Sequence, residues 1–360
     1  MVASHRTIRF CNAADGTRIA YSQVGQGLPV IKSCMWLNDI ESEVASPVWR
    51  HWIALLNEGH AFVAHDLRGC GLSDRAVADT SLPAWVSDIE AVVGATTPDR
   101  FVLVGLSQGA AIAVEYASRH PEQVAGLILC GGYTQGLHKR ASSEAEREIG
   151  EALAKMMEFG WGTDNPAFRQ IFSARFFPDG TAEQIGWMNA QMKACTTPAM
   201  SARILRACYD IDVAAAATQV ACPTLVLHSK QDAVVPFEAG RVMAGLMPGA
   251  RFVPLESRSH LPMATEPAWQ VLRSEVQSFL AAIEYGGAPD RPALTGLTER
   301  ERQVLELVAR GRDNERIAAE LGLANKTVRN HLTHLLDKPG VGTRSEAIVL
   351  ARNAGFGSDR

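Results

Sequence analysis

The sequence predicts an α/β fold, a mostly parallel sheet flanked by helices and covered by a helical cap, followed by a small all-α domain. Three observations predict it. Up to about residue 285, short apolar runs alternate with segments long enough for an amphipathic helix, the pattern of parallel strands joined by helical crossovers. Between about 134 and 219 the strand signals stop and large apolar residues recur at helical spacing. Glycine and two prolines then crowd into Gly286–Pro292, which cannot continue a helix and reads as a linker. At 360 residues the chain exceeds one ordinary compact core, so two domains are expected. The limits read from the sequence are 1–285, a linker at 286–296, and 297–360.

Taken in order, Thr7–Phe10 and Thr17–Ser22 flank Asp15-Gly16 and predict a hairpin. Phe62–Ala64, Phe101–Gly105, Val124–Cys130 and Thr224–His228 predict buried strands. The stretch from 134 to 219 carries Met156, Met157, Phe159, Trp161, Phe168, Phe172, Phe176, Phe177, Trp187, Met188 and Met192. An insertion of this size would lie over the sheet as a cap. Such residues at helical spacing either form the cap's own core or line a pocket for an apolar ligand.

The totals narrow the function. A net charge of −4 means that DNA binding cannot rest on overall charge and needs a local patch on a recognisable fold. The seven cysteines form no CxxC pair, and several sit in apolar runs, as buried reduced thiols do. Met1–Phe10 lacks the apolar core of a signal peptide, and no run approaches a membrane span. A reduced, cytoplasmic protein is expected, with no membrane association, no cofactor and no metal.

The strongest chemical signal is Gly105-Leu106-Ser107-Gln108-Gly109, a G-x-S-x-G placed between a strand and a helix. A serine on that sharp turn projects its hydroxyl above the sheet, and the glycines permit close strand–helix approach. Downstream, Asp232 follows the run Leu225–His228, and His260 follows Phe252–Leu255, giving the order serine, acid, histidine. In such a set His260 would take the proton from Ser107, while Asp232 fixes the imidazole tautomer and stabilises its charged form. With Asp66–Asp74 (DLRGCGLSD) and Arg119–Val124 (RHPEQV), these motifs make the first domain resemble the α/β-hydrolase superfamily over its whole length.

That resemblance implies an oxyanion hole built from two backbone N–H groups. One would belong to Gln108 and the other to Met35 or Trp36 in the loop after the third strand. The segment Val30–Leu37 lacks the His-Gly usual there. Loss of one such donor typically costs ~10²–10³ in rate. Lys32 reads as a neighbouring surface lysine, Cys34 as a buried thiol, and His65 as a structural residue of the loop before the DLRGCGLSD turn.

From Leu297 the sequence turns helical. Thr298 and Glu301 form a capping box, Val304, Leu305, Leu307 and Val308 supply a buried stripe, and Gly311 can end the helix. Asn314 can cap a second helix carrying Ile317, Ala318 and Leu321, and Gly322-Leu323 turns the chain into a third helix near Asn325. That third helix would carry Val328, Leu332, Leu335 and Leu336 inward. This is the helix-turn-helix pattern, with Lys326, Thr327, Arg329, Asn330 and His331 near the outward N-terminal end.

The stretches LTERE, Ile317-Ala318 and Thr327–His331 make the segment similar to the DNA-binding domain of LuxR-type (NarL/FixJ-type) regulators. The resemblance implies binding to double-stranded DNA. Lys326, Thr327 and His331 would grip phosphates, while Arg329 and Asn330 would reach base edges. Lys338-Pro339-Gly340-Val341 would end the reading helix slightly early. A final helix at about Arg344–Arg352 would pair two copies as a homodimer.

Two functions fit this combination. In one, the first domain senses a small apolar molecule under its cap and changes DNA binding. In the other it is a working serine esterase or related hydrolase whose attached DNA-binding domain regulates its own genes.

Overall fold

The computed structural model describes residues 7–284, 298–337 and 356. The chain divides into two compact units between Val276 and Gln277. In the first, one sheet holds β1 (Ile8–Asn12), β2 (Arg18–Val24), β3 (Pro29–Lys32), β4 (Ala61–His65), β5 (Phe101–Leu106), β6 (Val124–Cys130), β7 (Thr224–Ser229) and β8 (Arg251–Leu255). Their order is β1-β2-β4-β3-β5-β6-β7-β8. The β1–β2 and β2–β4 pairs are antiparallel, the former closing the expected hairpin, and the remaining pairs are parallel.

Between strands run α1 (Ile40–Glu43), α2 (Arg50–Asn57), α3 (Leu82–Thr96) and α4 (Gln108–Arg119). The central strands β4, β5, β6 and β7 are buried at every position, because helices cover both faces of a parallel sheet. β8 is the edge strand and accommodates the exposed Pro254, whose missing N–H would break a ladder elsewhere.

The cap between β6 and β7 consists of α5 (Leu137–Arg140), α6 (Glu144–Gly160), α7 (Ala167–Phe176), α8 (Ala182–Cys195), α9 (Pro198–Asp210) and α10 (Ala214–Ala217). Local chemistry sets its helix starts. The Ser143, Thr181 and Thr197 side chains each accept a backbone N–H of the following first turn. Of the cap's large apolar residues, Met157, Trp161, Phe177, Met188 and Met192 are buried core, whereas Phe159 and Phe168 are exposed. The first domain closes with α11 (Phe237–Leu246), β8 and the start of α12 (Pro267–Glu284).

The second unit contains α13 (Glu299–Ala309), α14 (Asn314–Leu321) and α15 (Asn325–Asp337). The Thr298–Glu301 capping box forms in both directions. Val304, Leu305, Val308, Ile317, Val328 and Leu332 make a shared core, against which Leu321, Leu323 and Phe356 pack. Gly322 takes φ 64° at the end of α14, the left-handed conformation that a tight turn needs there.

One cap differs from expectation. Asp313, not Asn314, caps α14: its extended backbone leaves the carboxylate free to accept Arg316 N–H at 2.9 Å, and Asn314 is already helical. Three expectations lie outside the described residues: the linker at 286–296, the Lys338–Val341 turn, and the pairing helix at about 344–352. No helix among the described residues is long and apolar enough to cross a membrane.

Candidate functional site

The Ser107 backbone sits at φ 55°, ψ −127°, between β5 and α4. A non-glycine residue held at positive φ is strained and persists only where its surroundings fix it. Ser107 N–H donates to Cys130 O at 2.9 Å, tying the turn to the end of β6. The flanking glycines are required sterically. A Cβ at Gly105 would lie 2.5 Å from Ala110 Cα, and one at Gly109 would lie 2.5 Å from Cys34 O. The second approach brings α4 directly against the loop that follows β3.

Asp232 and His260 meet in the loops after β7 and β8, with His260 Nδ1 2.6 Å from Asp232 Oδ2 and both side chains fully buried. Asp232 Oδ1 accepts the N–H groups of Val234 and Val235 at 2.7 and 3.0 Å. Burial would raise the Asp232 carboxyl, but the His260 charge and hydrogen bonds from His228 and His260 hold it below the usual carboxylate range. With Nδ1 engaged by the acid, His260 Nε2 is buried and has no hydrogen-bond partner among the described residues. Ser107 therefore does not yet share a hydrogen bond with it, although His260 packs beneath Gly131, next to the Cys130 carbonyl that holds Ser107. A lone imidazole nitrogen oriented in this way is a ready proton acceptor.

His228 is a residue that sequence reasoning missed. Its Nε2 lies 3.0 Å from Val235 O and 3.4 Å from Asp232 Oδ2, so the acid faces two imidazoles. A Cβ at Gly240 would collide with His228 Nδ1, so only glycine fits beside this ring. The available signal was a histidine closing an otherwise apolar strand.

The loop after β3 is held from beneath, which explains how it keeps its shape without the usual glycine. Asp66 accepts Ile40 N–H at 2.7 Å and Asn38 Nδ2 at 3.1 Å, while Asn38 Oδ1 accepts Leu67 N–H at 3.1 Å. Leu37 takes the positive φ (59°) that glycine would otherwise supply. Lys32 corrects the sequence reading. It is buried and paired with Glu43 at 2.8 Å, because it ends a strand covered on both faces and needs an internal counter-charge. Cys34 is a buried thiol pushed well above its ordinary value by burial. His65 is the last residue of β4 and fully buried, not part of a loop.

Of the expected oxyanion donors, Trp36 and Gln108 line the cavity under the cap, whereas Met35 is buried and does not. The Trp36 N–H is occupied: it donates to Gln108 Oε1 at 2.5 Å. Gln108 Nε2 is buried without a partner among the described residues. A carbonyl oxygen seeking the Trp36 donor must displace that side chain.

The cavity measures about 740 Å³, within the range of small-molecule sites. Trp36, Phe172, Phe176, Leu137, Ile149, Leu153 and Val242 line it, together with Ser107 and Gln108. Trp36 stacks on Phe176 (5.6 Å, 14°), and Phe176 meets His260 edge-on at 5.1 Å. Phe176 also accepts His260 N–H on its carbonyl at 2.9 Å. One cap residue thus touches the pocket wall, the loop after β3 and the histidine.

On α15, Lys326, Arg329 and Asn330 are exposed, Thr327 and His331 are half-buried, and Val328 is buried on the opposite side. The helix therefore presents polar residues of both phosphate- and base-contacting types at its N-terminal half.

Strand order and elbow define an α/β-hydrolase fold, and the second unit is a helix-turn-helix. The chain belongs to the alpha/beta hydrolase family, which residues 34–271 match, and residues 295–351 match the luxR family of bacterial regulatory proteins. AB hydrolase superfamily protein YisY of Bacillus subtilis (strain 168) is 26% identical over 209 residues, covering 57% of this chain and 76% of that protein. An Aeromonas salmonicida protein, named as an HTH-type transcriptional regulator in the exeN 3' region, is 44% identical over 88 residues. That match covers 24% of this chain and 40% of the relative. In fold, the chain resembles an esterase from Exiguobacterium antarcticum, with TM-score 0.64 and 23% identity over 77% of this chain and 99% of that one. A hydrolase domain and a LuxR-type DNA-binding domain in one chain make this a DNA-binding regulator with a hydrolase-fold domain.

Proposed function

We propose that the hydrolase-fold domain, about 1–285, is the sensor of this regulator. A small ligand with an apolar body occupies the cavity under the cap and changes the affinity of the DNA-binding domain, about 297–360, for its operator. The observation that carries this reading is the occupied oxyanion donor beside a large cavity with an aromatic and aliphatic wall. The protein has a pocket for a ligand, yet the Trp36 N–H that a hydrolase would reserve for its transition state is bonded to Gln108. DNA contact falls to Lys326, Thr327 and His331 on phosphates and to Arg329 and Asn330 on bases, with a homodimer reading two half-sites.

A second reading, slow cleavage of the bound ligand, is favoured by one feature: the Asp232–His260 pair with its unpartnered Nε2. Intact-mass spectrometry after treatment with a fluorophosphonate separates the two. No adduct on folded wild-type protein is expected from a binding pocket, whereas a stoichiometric adduct absent from Ser107→Ala would make Ser107 an activated nucleophile. A reporter driven by the operator should respond equally with wild type and Ser107→Ala. Loss of the response in Ser107→Ala would make cleavage part of the signal.

A further inference from the structure

The same cavity carries three cations for which the apolar-ligand reading has no use, the exposed Lys139 and two guanidinium groups. Arg140, at the end of α5, and Arg175, in the last turn of α7, both line it and are half-buried. Among the described residues neither has a carboxylate within 4.0 Å. Arg140 spends one N–H on Gln135 O at 2.9 Å and lies over the Tyr133 ring at 5.1 Å. Arg175 places two donors on a single oxygen, Ala233 O, at 3.1 and 2.8 Å. A guanidinium has five donors, so most of both forks remain available to the cavity.

The acids nearby are already engaged. Glu146 accepts the N–H and hydroxyl of Ser142, and Glu238 is paired with Arg241. Asp232 is close enough to act on Arg140 electrostatically. Its two oxygens, however, face Val234 N–H, Val235 N–H, His260 and His228. Arg140 and Arg175 also repel each other. Burying a cation without a counter-charge is costly, and burial indeed lowers the Arg140 guanidinium from its ordinary value. Two guanidinium forks with unused donors, lining one cavity with Trp36, Phe172 and Phe176, suit the planar oxygens of a carboxylate.

We propose that the cavity takes an amphiphilic organic acid, its apolar body against Trp36, Phe172 and Phe176 and its carboxylate held by Arg140 and Arg175. The proposal rests on the sensor reading and names the chemical class of its ligand. Arg140 and Arg175 belong to the cap, on α5 and α7, so the anion would tie two cap helices together. α7 also carries Phe176, whose carbonyl holds His260, so the same event would reach that histidine.

The test uses the full chain and two matched probe series, straight-chain carboxylates of about six to ten carbons and the carboxamides of the same lengths, a size suited to the cavity. Affinities are read by calorimetry. At least one carboxylate should bind wild type about tenfold or more tighter than its carboxamide. Arg140→Gln and Arg175→Gln should each close that gap, with melting temperatures like that of wild type showing that the variants are folded. Equal affinity of acid and amide at every length, a gap that persists in both variants, or binding by neither series would overturn the proposal. Operator affinity, measured alongside, keeps it separate from the sensor reading. A carboxamide that shifts operator binding without any carboxylate preference overturns the anion site and leaves the sensor. A carboxylate preference abolished by the variants, with operator binding unchanged, supports the site and removes the sensor.

Discussion

At the scale of single residues, the strained serine turn and the buried acid–histidine contact stand beside a backbone donor that is already occupied. Ser107 has the strained backbone of a nucleophile, and Asp232 and His260 are paired 2.6 Å apart. The Gln108 side chain nevertheless satisfies the Trp36 N–H. Removing it should uncover the donor. Gln108→Ala is expected to raise hydrolysis of a short nitrophenyl ester by about tenfold or more, a part of the ~10²–10³ that one oxyanion donor is worth. An unchanged or lower rate, in protein that melts like wild type, would show that Gln108 does not hold the site back. The Ser107 turn and the Asp232–His260 contact were legible from order and spacing alone. The Gln108 contact was not, because a side chain reaching a backbone group 72 residues away leaves no local pattern. For the same reason Lys32 looked like a surface residue: its partner Glu43 lies in a separate short helix, and only the folded sheet shows that both are buried.

At the scale of elements, the sequence was most informative where local chemistry decides the outcome. The Thr298–Glu301 box starts α13 and Gly322 ends α14, as their residue types require. The apolar run Val124–Cys130 is β6 to the residue. Cap residues were harder to sort, since core and pocket positions share one helical periodicity. Met157 and Trp161 are core, whereas Phe172 and Phe176 face the cavity. Arg140 and Arg175 carry no motif that would set them apart from ordinary surface arginines. For α15 the expected contacts differ by type. Arg329→Ala should cost about 1–3 kcal/mol on the selected operator and relax its sequence preference, whereas Lys326→Ala should weaken all sequences alike. Competition binding on operator and random DNA checks this, and equal losses for both variants on both DNAs would reverse the assignment.

At the scale of the whole molecule, the proposed sensor requires that occupancy of the cavity alter DNA binding. Coupling of this kind is typically worth ~5–150-fold in affinity. A covalent occupant tests it whatever the natural ligand is, because the native thiols are quiet. Six of the seven cysteines are buried, and burial together with Asp88 raises Cys11 to about 11. In Ser107→Cys, an alkyl maleimide of about eight carbons would therefore fill the cavity at one position, verified by intact mass. The decisive measurement is the affinity of this protein, labelled and unlabelled, for an operator recovered by selection from genomic DNA. A sensor should change its operator affinity by at least about fivefold on labelling. Complete labelling with unchanged operator affinity would contradict the sensor reading.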